Sequence, residues 1–183
     1  DEIGYQLGHY QKEKVVFDRR IGPPQAVTIG NTNWVTSIEC ISADGHALSP
    51  LVIHQGLVPR EPMDRWFPPS KDCPDWHTGF SNKGWSSKEL ALEWLRRIFI
   101  PSTAEGLESG DWRCLIIDGH HTHYPGEFQW ECINNQISPI FLLPHMSHLI
   151  QPCDMGPFAH LKRYYANHLK EYTPTGCAVL NRA

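Results

Sequence analysis

The stretch Cys114-Leu115-Ile116-Ile117-Asp118-Gly119 is the part of this sequence that points most directly to a fold. Four successive apolar residues ended by Asp-Gly are typical of a short strand that is buried on both faces of a sheet. A carboxylate at the carboxyl end of such a strand faces the crevice in which open α/β sheets bind ligands. Asp-Gly also suits a simple turn, and that alternative remains open. The stretch therefore predicts a buried strand, with Asp118 as a candidate site residue.

Upstream of this strand, the pattern predicts a β-hairpin. Residues 34–41 are rich in β-branched and aromatic side chains, Asp44-Gly45 marks a turn, and residues 47–54 return as a second apolar run. Residues 1–10 are interpreted as the tail of a further strand whose beginning is missing.

Between the hairpin and the buried strand, a loop and then a helix are expected. Residues 55–84 carry many prolines and little periodicity, which indicates a long surface loop. Ser86 stands three residues before Glu89, the spacing of a capping box, and apolar residues then recur at helical intervals until Pro101.

Downstream of the buried strand, helices and strands continue to alternate. We expect a helix over residues 125–135, a buried strand over 137–143 that is stopped by Pro144, and an amphipathic helix over 157–172. Such an alternation predicts an α/β fold in which a mixed sheet is flanked by helices.

Composition limits the function classes. The 183 residues are 40% hydrophobic and 20% charged, as expected for one globular domain spanning residues 1–183. The formal net charge of −4 argues against a domain that binds nucleic acid through basic charge alone. The six cysteines form no CxxC pair, and no apolar run has the length of a membrane span, so a membrane partner is not expected.

Three aspartates form the candidate catalytic set: Asp1, Asp118 and Asp154. Hard cations such as Mg²⁺ prefer oxygen ligands, and phosphoryl transfer by two metal ions needs several converging carboxylates. Asp154 has an alternative interpretation as the N-cap of the last helix. The hypothesis therefore depends on the three carboxylates acting together.

Four stretches resemble one known family. They are Asp1-Glu2-Ile3-Gly4-Tyr5, the hairpin strand at 34–41, the Leu115–His120 block and the block from Pro144 to Gly156, which contains Ser-His-Leu-Ile-Gln-Pro-Cys-Asp. In order and in type they are similar to the DDE superfamily endonuclease domain of pogo-like transposases, the group related to the jerky, Tigger and Fot elements. The 35 residues between Asp118 and Asp154 are also similar to the family's spacing.

The resemblance implies a ribonuclease H-like fold whose first strand is truncated at the N-terminus, in a domain excised from a longer protein with a separate helix-turn-helix region. It implies that Asp1, Asp118 and Asp154 bind two Mg²⁺ or Mn²⁺ ions. The implied partners are double-stranded DNA, both transposon terminal inverted repeats and target DNA, and further copies of the chain in a homodimeric or larger synaptic complex. The implied location is the nucleus.

The remaining polar residues leave alternatives open. His120 and His148 are candidates for contacts to DNA phosphate or for orienting a ligand, while mixed histidines and cysteines near Asp118 and Asp154 also suit a zinc site or an unrelated metal-dependent hydrolase. Glu2 is expected on the opposite face of its strand from Asp1, and Glu39 is expected to alternate outward, so neither is assigned to the site. A second functional class is a domesticated, catalytically silent DNA-binding or chromatin protein.

Overall fold

The structure is a computed structural model that describes residues 1–6, 20, 33–56, 76–118, 126–143 and 147–172, with the backbone alone for 147, 148 and 169–172. Its first four strands form one mixed sheet in the order β1-β2-β3-β4. These are β1 (Glu2–Gln6), β2 (Trp34–Ile38), β3 (Leu51–Gln55) and β4 (His77–Ser81). The first three strands pair antiparallel, and β4 lies parallel to β3.

The predicted hairpin is confirmed. β2 and β3 pair antiparallel, and an isolated bridge between Ile41 and Ala47 continues the pairing towards the turn. Gly45 adopts φ 93° in that turn, a conformation that a glycine accepts without steric cost. The strand predicted near the N-terminus is confirmed as β1, with residues 7–10 outside the described part of the chain.

β4 contradicts the prediction of an uninterrupted loop over residues 55–84. Its composition, His-Thr-Gly-Phe-Ser, has weak strand propensity, which is why the sequence pattern missed it. Gly79 allows close packing, because a Cβ there would lie 3.1 Å from Cδ2 of Leu90. β4 thus pairs with β3 and packs against the helix that carries Leu90, and neither contact can be read from local sequence.

The predicted helix is present, but it is longer and less regular than expected. It runs through α1 (Lys88–Trp94), a π-helical turn (Leu95–Phe99) and α2 (Ile100–Ser102). The N-cap is Ser87, whose side chain accepts from Leu90 N at 3.3 Å, and not Ser86 as the capping-box spacing predicted. The wide turn lies just before Pro101, which has no N–H to donate and whose ring crowds an ordinary α-helical turn.

A second sheet of two parallel strands is separate from the first, whereas the sequence predicted one mixed sheet. β5 (Arg113–Ile117) and β6 (Ile137–Phe141) are joined by α3 (Gly126–Asn134), so the predicted helix and the presence of both predicted strands are confirmed. The prediction that these strands are buried on both faces is wrong, because Cys114, Ile116 and Ile140 are exposed and only alternate side chains face the core. Their inward side chains share one hydrophobic core with the first sheet and with the helix that begins at Lys88. That core contains Ile38, Leu51, Ile53, Leu90, Ala91, Trp94, Leu95, Ile98, Phe99, Leu115, Ile117, Phe128, Cys132 and Ile137.

The last part of the chain is helical. Two short helices that the sequence pattern missed, α4 (Ser147–Ile150) and α5 (Pro152–Met155), precede the predicted α6 (Pro157–Tyr172). α6 buries Phe158, but Tyr164 on its expected apolar side is 65% exposed. The predicted helix is thus confirmed, while its apolar side is only partly covered.

The architecture is a mixed α/β fold with a four-stranded mixed sheet, a two-stranded sheet and flanking helices. Among the described helices, none combines the length and the apolar character needed to cross a membrane.

Candidate active site

Asp118 lies where the sequence predicted it, directly after β5. Leu115 and Ile117 of that strand are buried in the main core, and Ile117 O accepts from Leu142 N at 2.8 Å. The strand therefore ends in a rigid setting that holds the half-buried Asp118 at the carboxyl end of the small parallel sheet. This is the position expected for a ligand-binding carboxylate in an α/β protein.

Arg113 anchors the other end of β5, a role that the sequence analysis missed. Its guanidinium donates to Ile100 O at 3.1 Å, Thr103 Oγ1 at 2.7 Å and Asn135 O at 2.6 Å. Burial lowers the pKa of Arg113, but a guanidinium is not deprotonated in proteins and keeps its charge. The side chain thereby joins β5 to the carbonyl ends of two helices, which carry partial negative charge.

Asp1 is held by strand pairing. Asp1 N donates to Glu39 O at 2.7 Å and Glu39 N donates to Asp1 O at 2.8 Å, which extends the β1–β2 ladder by one residue pair. Side chains at opposed positions of an antiparallel pair lie on the same face of the sheet. Asp1 and Glu39 therefore present their carboxylates on one face.

Asp154 lies on a short helix that packs against that same strand. It belongs to α5, so the alternative interpretation of Asp154 as the N-cap of α6 is wrong. Its neighbour Cys153 is buried against Ile3 and Phe158, with Tyr5 packed beside them. Ile3 and Tyr5 share a strand face with Asp1 because side chains alternate along a strand. The structure thus brings the elements that carry Asp1 and Asp154 together, with the Asp154 side chain exposed.

Glu39 does not face outward as predicted, whereas Glu2 lies on the predicted face of its strand. Glu39 is half-buried instead of pointing outward, and Ser37 Oγ donates to Glu39 Oε1 at 2.6 Å. Burial raises the pKa of Glu39 against the opposing effect of the Ser37 hydrogen bond. Glu2 accepts a hydrogen bond from Ser86, next to the start of α1, and so lies on the opposite face from Asp1.

The donor chemistry of these residues fits a hard divalent cation. Oδ2 of Asp1 is buried and has no hydrogen-bond partner among the described residues. A buried carboxylate oxygen that lacks a donor is costly unless a donor or a cation satisfies it. Carboxylate oxygens are the ligands that Mg²⁺ and Mn²⁺ prefer.

The three aspartates do not form a preformed metal site. All three are described, yet within the described residues no group of three or more His, Cys, Asp or Glu side chains is arranged to hold a metal ion. A cavity of about 480 Å³ beside α1 and α3 is lined by none of them. The structure therefore brings together the elements of Asp1 and Asp154, whereas the convergence of all three carboxylates stays a prediction.

The predicted histidine contacts fall outside what the structure describes. His120 lies in the undescribed stretch after Asp118, and only the backbone of His148 is described. The side chain of Cys153 lies in an apolar cluster with Ile3 and Phe158, where a thiol packs as a small hydrophobic group.

Comparison with known proteins identifies the family. Residues 31–177 match the family described as DDE superfamily endonuclease. Asp118 and Asp154 lie within the matched residues and Asp1 lies before them. No solved structure shows a significant match to this chain.

Three relatives illustrate the similarity. A Cochliobolus lunatus protein named MFS-type transporter clz9 is 37% identical over 172 residues, 93% of this chain and 18% of that protein. The human Jerky protein homolog is 29% identical and the mouse Jerky protein 27% identical, each over 139 residues, 73% of this chain and 23% of those proteins. The chain spans less than a quarter of the length of each relative. With a family match that covers most of its residues, the chain belongs to the DDE superfamily endonuclease family.

Proposed function

We propose that this chain is the catalytic core of a cut-and-paste DNA transposase, which cleaves DNA at transposon ends and joins the freed 3′ end to target DNA. The match to the DDE superfamily endonuclease family carries this proposal. Two features of the structure support it: Asp118 at the carboxyl end of a parallel strand, and a buried Oδ2 on Asp1 that has no hydrogen-bond partner within the described part of the chain. We further propose that the α/β fold is ribonuclease H-like.

Asp1, Asp118 and Asp154 are the residues that would hold two Mg²⁺ or Mn²⁺ ions. When bound, such ions supply charge stabilisation and activation of the attacking oxygen in phosphodiester chemistry. The contribution of the chain is to fix the carboxylates, because most of the rate gain in such reactions comes from positioning and preorganised charge. Strand pairing fixes Asp1, the Arg113-anchored strand fixes Asp118, and the buried Cys153 fixes the helix of Asp154.

The proposed partner is double-stranded DNA, as terminal inverted repeats and as target. The formal net charge of −4 indicates that basic regions elsewhere supply much of the DNA affinity. We also propose that the chain works as one domain of a longer protein, in a homodimeric or larger complex in the nucleus.

One observation favours a second candidate, a catalytically silent DNA-binding protein derived from a transposase. The described residues contain no preformed three-ligand metal group. On this alternative, the fold is retained and the three aspartates hold no ions. Cleavage assays separate the two candidates directly.

The test is DNA cleavage by the full-length protein on a duplex that carries the terminal repeats flanking its gene. We expect cleavage with Mg²⁺ or Mn²⁺ and none in EDTA. Asp118→Asn and Asp154→Asn each lower the rate by about a thousandfold, since the lost ion interaction is worth several kcal/mol. Glu105→Gln changes an exposed turn residue and serves as the matched control with unchanged cleavage. Full activity in either aspartate variant contradicts the proposal.

A further inference from the structure

We propose that Glu39 is a fourth carboxylate of the cation site, adjacent to Asp1, and that it raises the affinity of the site for divalent cations. This inference rests on the proposed function, because it adds a residue to the site assigned there. It concerns a residue that sequence patterns alone placed outside the site.

The strand register puts the two carboxylates side by side. Asp1 and Glu39 exchange both backbone hydrogen bonds, at 2.7 and 2.8 Å, so they are directly opposed on neighbouring strands. In such pairs the Cα atoms are about 5.5 Å apart and the side chains lie on the same face. Two carboxylates at that separation are close enough to act on one cation or on a closely spaced pair.

The face that carries them is also the face that receives α5. Ile3, two residues after Asp1, contacts the buried Cys153, which precedes Asp154. Ser37, two residues before Glu39, is buried and donates to Glu39 Oε1 at 2.6 Å. Glu39 is thus held by a hydrogen bond on the side of the sheet where Asp154 is carried.

The buried carboxylate oxygen of Asp1 is a separate observation that points to a ligand on this face. Oδ2 of Asp1 is buried and has no hydrogen-bond partner among the described residues. The half-buried carboxylate of Glu39 lies opposite it on the neighbouring strand. The α-amino group of Asp1 favours the charged form of Glu39, but it donates to Glu39 O and leaves Asp1 Oδ2 without a donor among the described residues. A divalent cation would satisfy that oxygen, because its preferred ligands are carboxylate oxygens.

Glu2 provides a matched control on the same strand. It is the same residue type, one position from Asp1, but its carboxylate accepts from Ser86 on the opposite face of the sheet. The substitution Glu2→Gln removes one negative charge from the residue next to Asp1, as Glu39→Gln removes one from the residue opposite Asp1. Any difference between the two variants therefore reports on the face and not on net charge.

The experiment measures Mn²⁺ binding to the full-length protein by the loss of the free-ion electron paramagnetic resonance signal. We expect Glu39→Gln to weaken binding by about 10- to 100-fold, the range found when supporting groups of metal sites are removed. Glu2→Gln is expected to stay within about twofold of the unmodified protein. Glu39→Asp, which keeps the charge, is expected to bind more tightly than Glu39→Gln.

The outcomes are distinguishable. If the unmodified protein binds Mn²⁺ and Asp154→Asn weakens binding while Glu39→Gln does not, this inference is overturned and the proposed function stands. If Asp118→Asn and Asp154→Asn bind as the unmodified protein does, or if it binds no Mn²⁺, the proposed function itself fails. If Glu39→Gln and Glu39→Asp weaken Mn²⁺ binding equally, the side-chain length of Glu39 matters and its charge does not, and the inference is overturned. Should Glu39→Gln fail to fold, as judged by circular dichroism, Glu39→Ser is the neutral replacement.

Discussion

Arg113 is the side chain whose removal should most clearly destabilise the fold around Asp118. The substitution Arg113→Met keeps the length and apolar character of the stem and deletes the guanidinium. Three hydrogen bonds disappear, to Ile100 O, Thr103 Oγ1 and Asn135 O at 2.6 to 3.1 Å. The first and third acceptors are carbonyls near helix ends, which depend on such donors.

The magnitude follows from these contacts. A hydrogen bond that involves a charged group contributes about 1.5–3 kcal/mol, but bonds from one guanidinium are not additive. The Thr103 hydroxyl also donates to Phe99 O at 2.6 Å and adds little to the loss. Two effective bonds therefore give a decrease of about 3 kcal/mol in the free energy of unfolding. Arg113→Lys should recover only part of it, because an ammonium cannot span both helix ends as a planar fork does.

Urea unfolding followed by circular dichroism measures this difference through the transition midpoint. Arg97→Met is the matched control, because Arg97 is exposed and pairs with Glu93 at 2.6 Å within one helix. Such a pair contributes at most about 0.5 kcal/mol. If Arg113→Met lowers stability by no more than Arg97→Met does, then the guanidinium does not anchor β5 and the reasoning is refuted.

Two further predictions concern the turn after β4 and strand β1. Gly84→Ala should destabilise the fold by at least about 1–2 kcal/mol more than Gly45→Ala does. Both glycines have positive φ, so the backbone strain is common to the two variants. A Cβ at Gly84 would lie 2.2 Å from Trp34 O, whereas one at Gly45 meets nothing within 4 Å. Equal losses in urea unfolding would rule out the predicted clash. Burial, with the charge of Glu39 as a smaller cause, raises the pKa of Tyr5 to about 12 from its ordinary 10. The folded state thus favours the neutral phenol, so its contribution to stability is complete below pH 10 and is lost as the pH rises towards 12. Tyr5→Phe should remove that part of the alkaline loss, as measured by unfolding at pH 9 and pH 11.5, and an unchanged alkaline loss in the variant contradicts the assignment.

The elements that the sequence predicted are those specified by local pattern. The Cys114–Ile117 run is apolar throughout, and Asp44-Gly45 supplies the turn that closes the hairpin, so neither needs distant information. The last helix was likewise predicted from its apolar spacing. These elements place Asp118 at a strand end, which is the part of the site that sequence reasoning located.

Other features depend on contacts that local pattern does not encode. β4 pairs with β3 and packs Gly79 closely against Leu90. Ser86 donates to Glu2, and the neighbouring Ser87 caps the helix. Asp1 and Glu39 are 38 residues apart in sequence, and their partnership depends on the register of β1 and β2. Alternation along β2 alone suggested that Glu39 faces outward, because the covering helix α5 comes more than 100 residues later and was not predicted.

The central claim is that Asp1, Asp118 and Asp154 jointly hold divalent ions. Its most direct test is a crystal structure of the full-length protein with terminal-repeat DNA and Mn²⁺, in which anomalous scattering locates the metal. We predict peaks about 2.1–2.3 Å from carboxylate oxygens of all three aspartates. Manganese bound elsewhere, or three aspartates that remain apart with DNA and metal present, would contradict the claim.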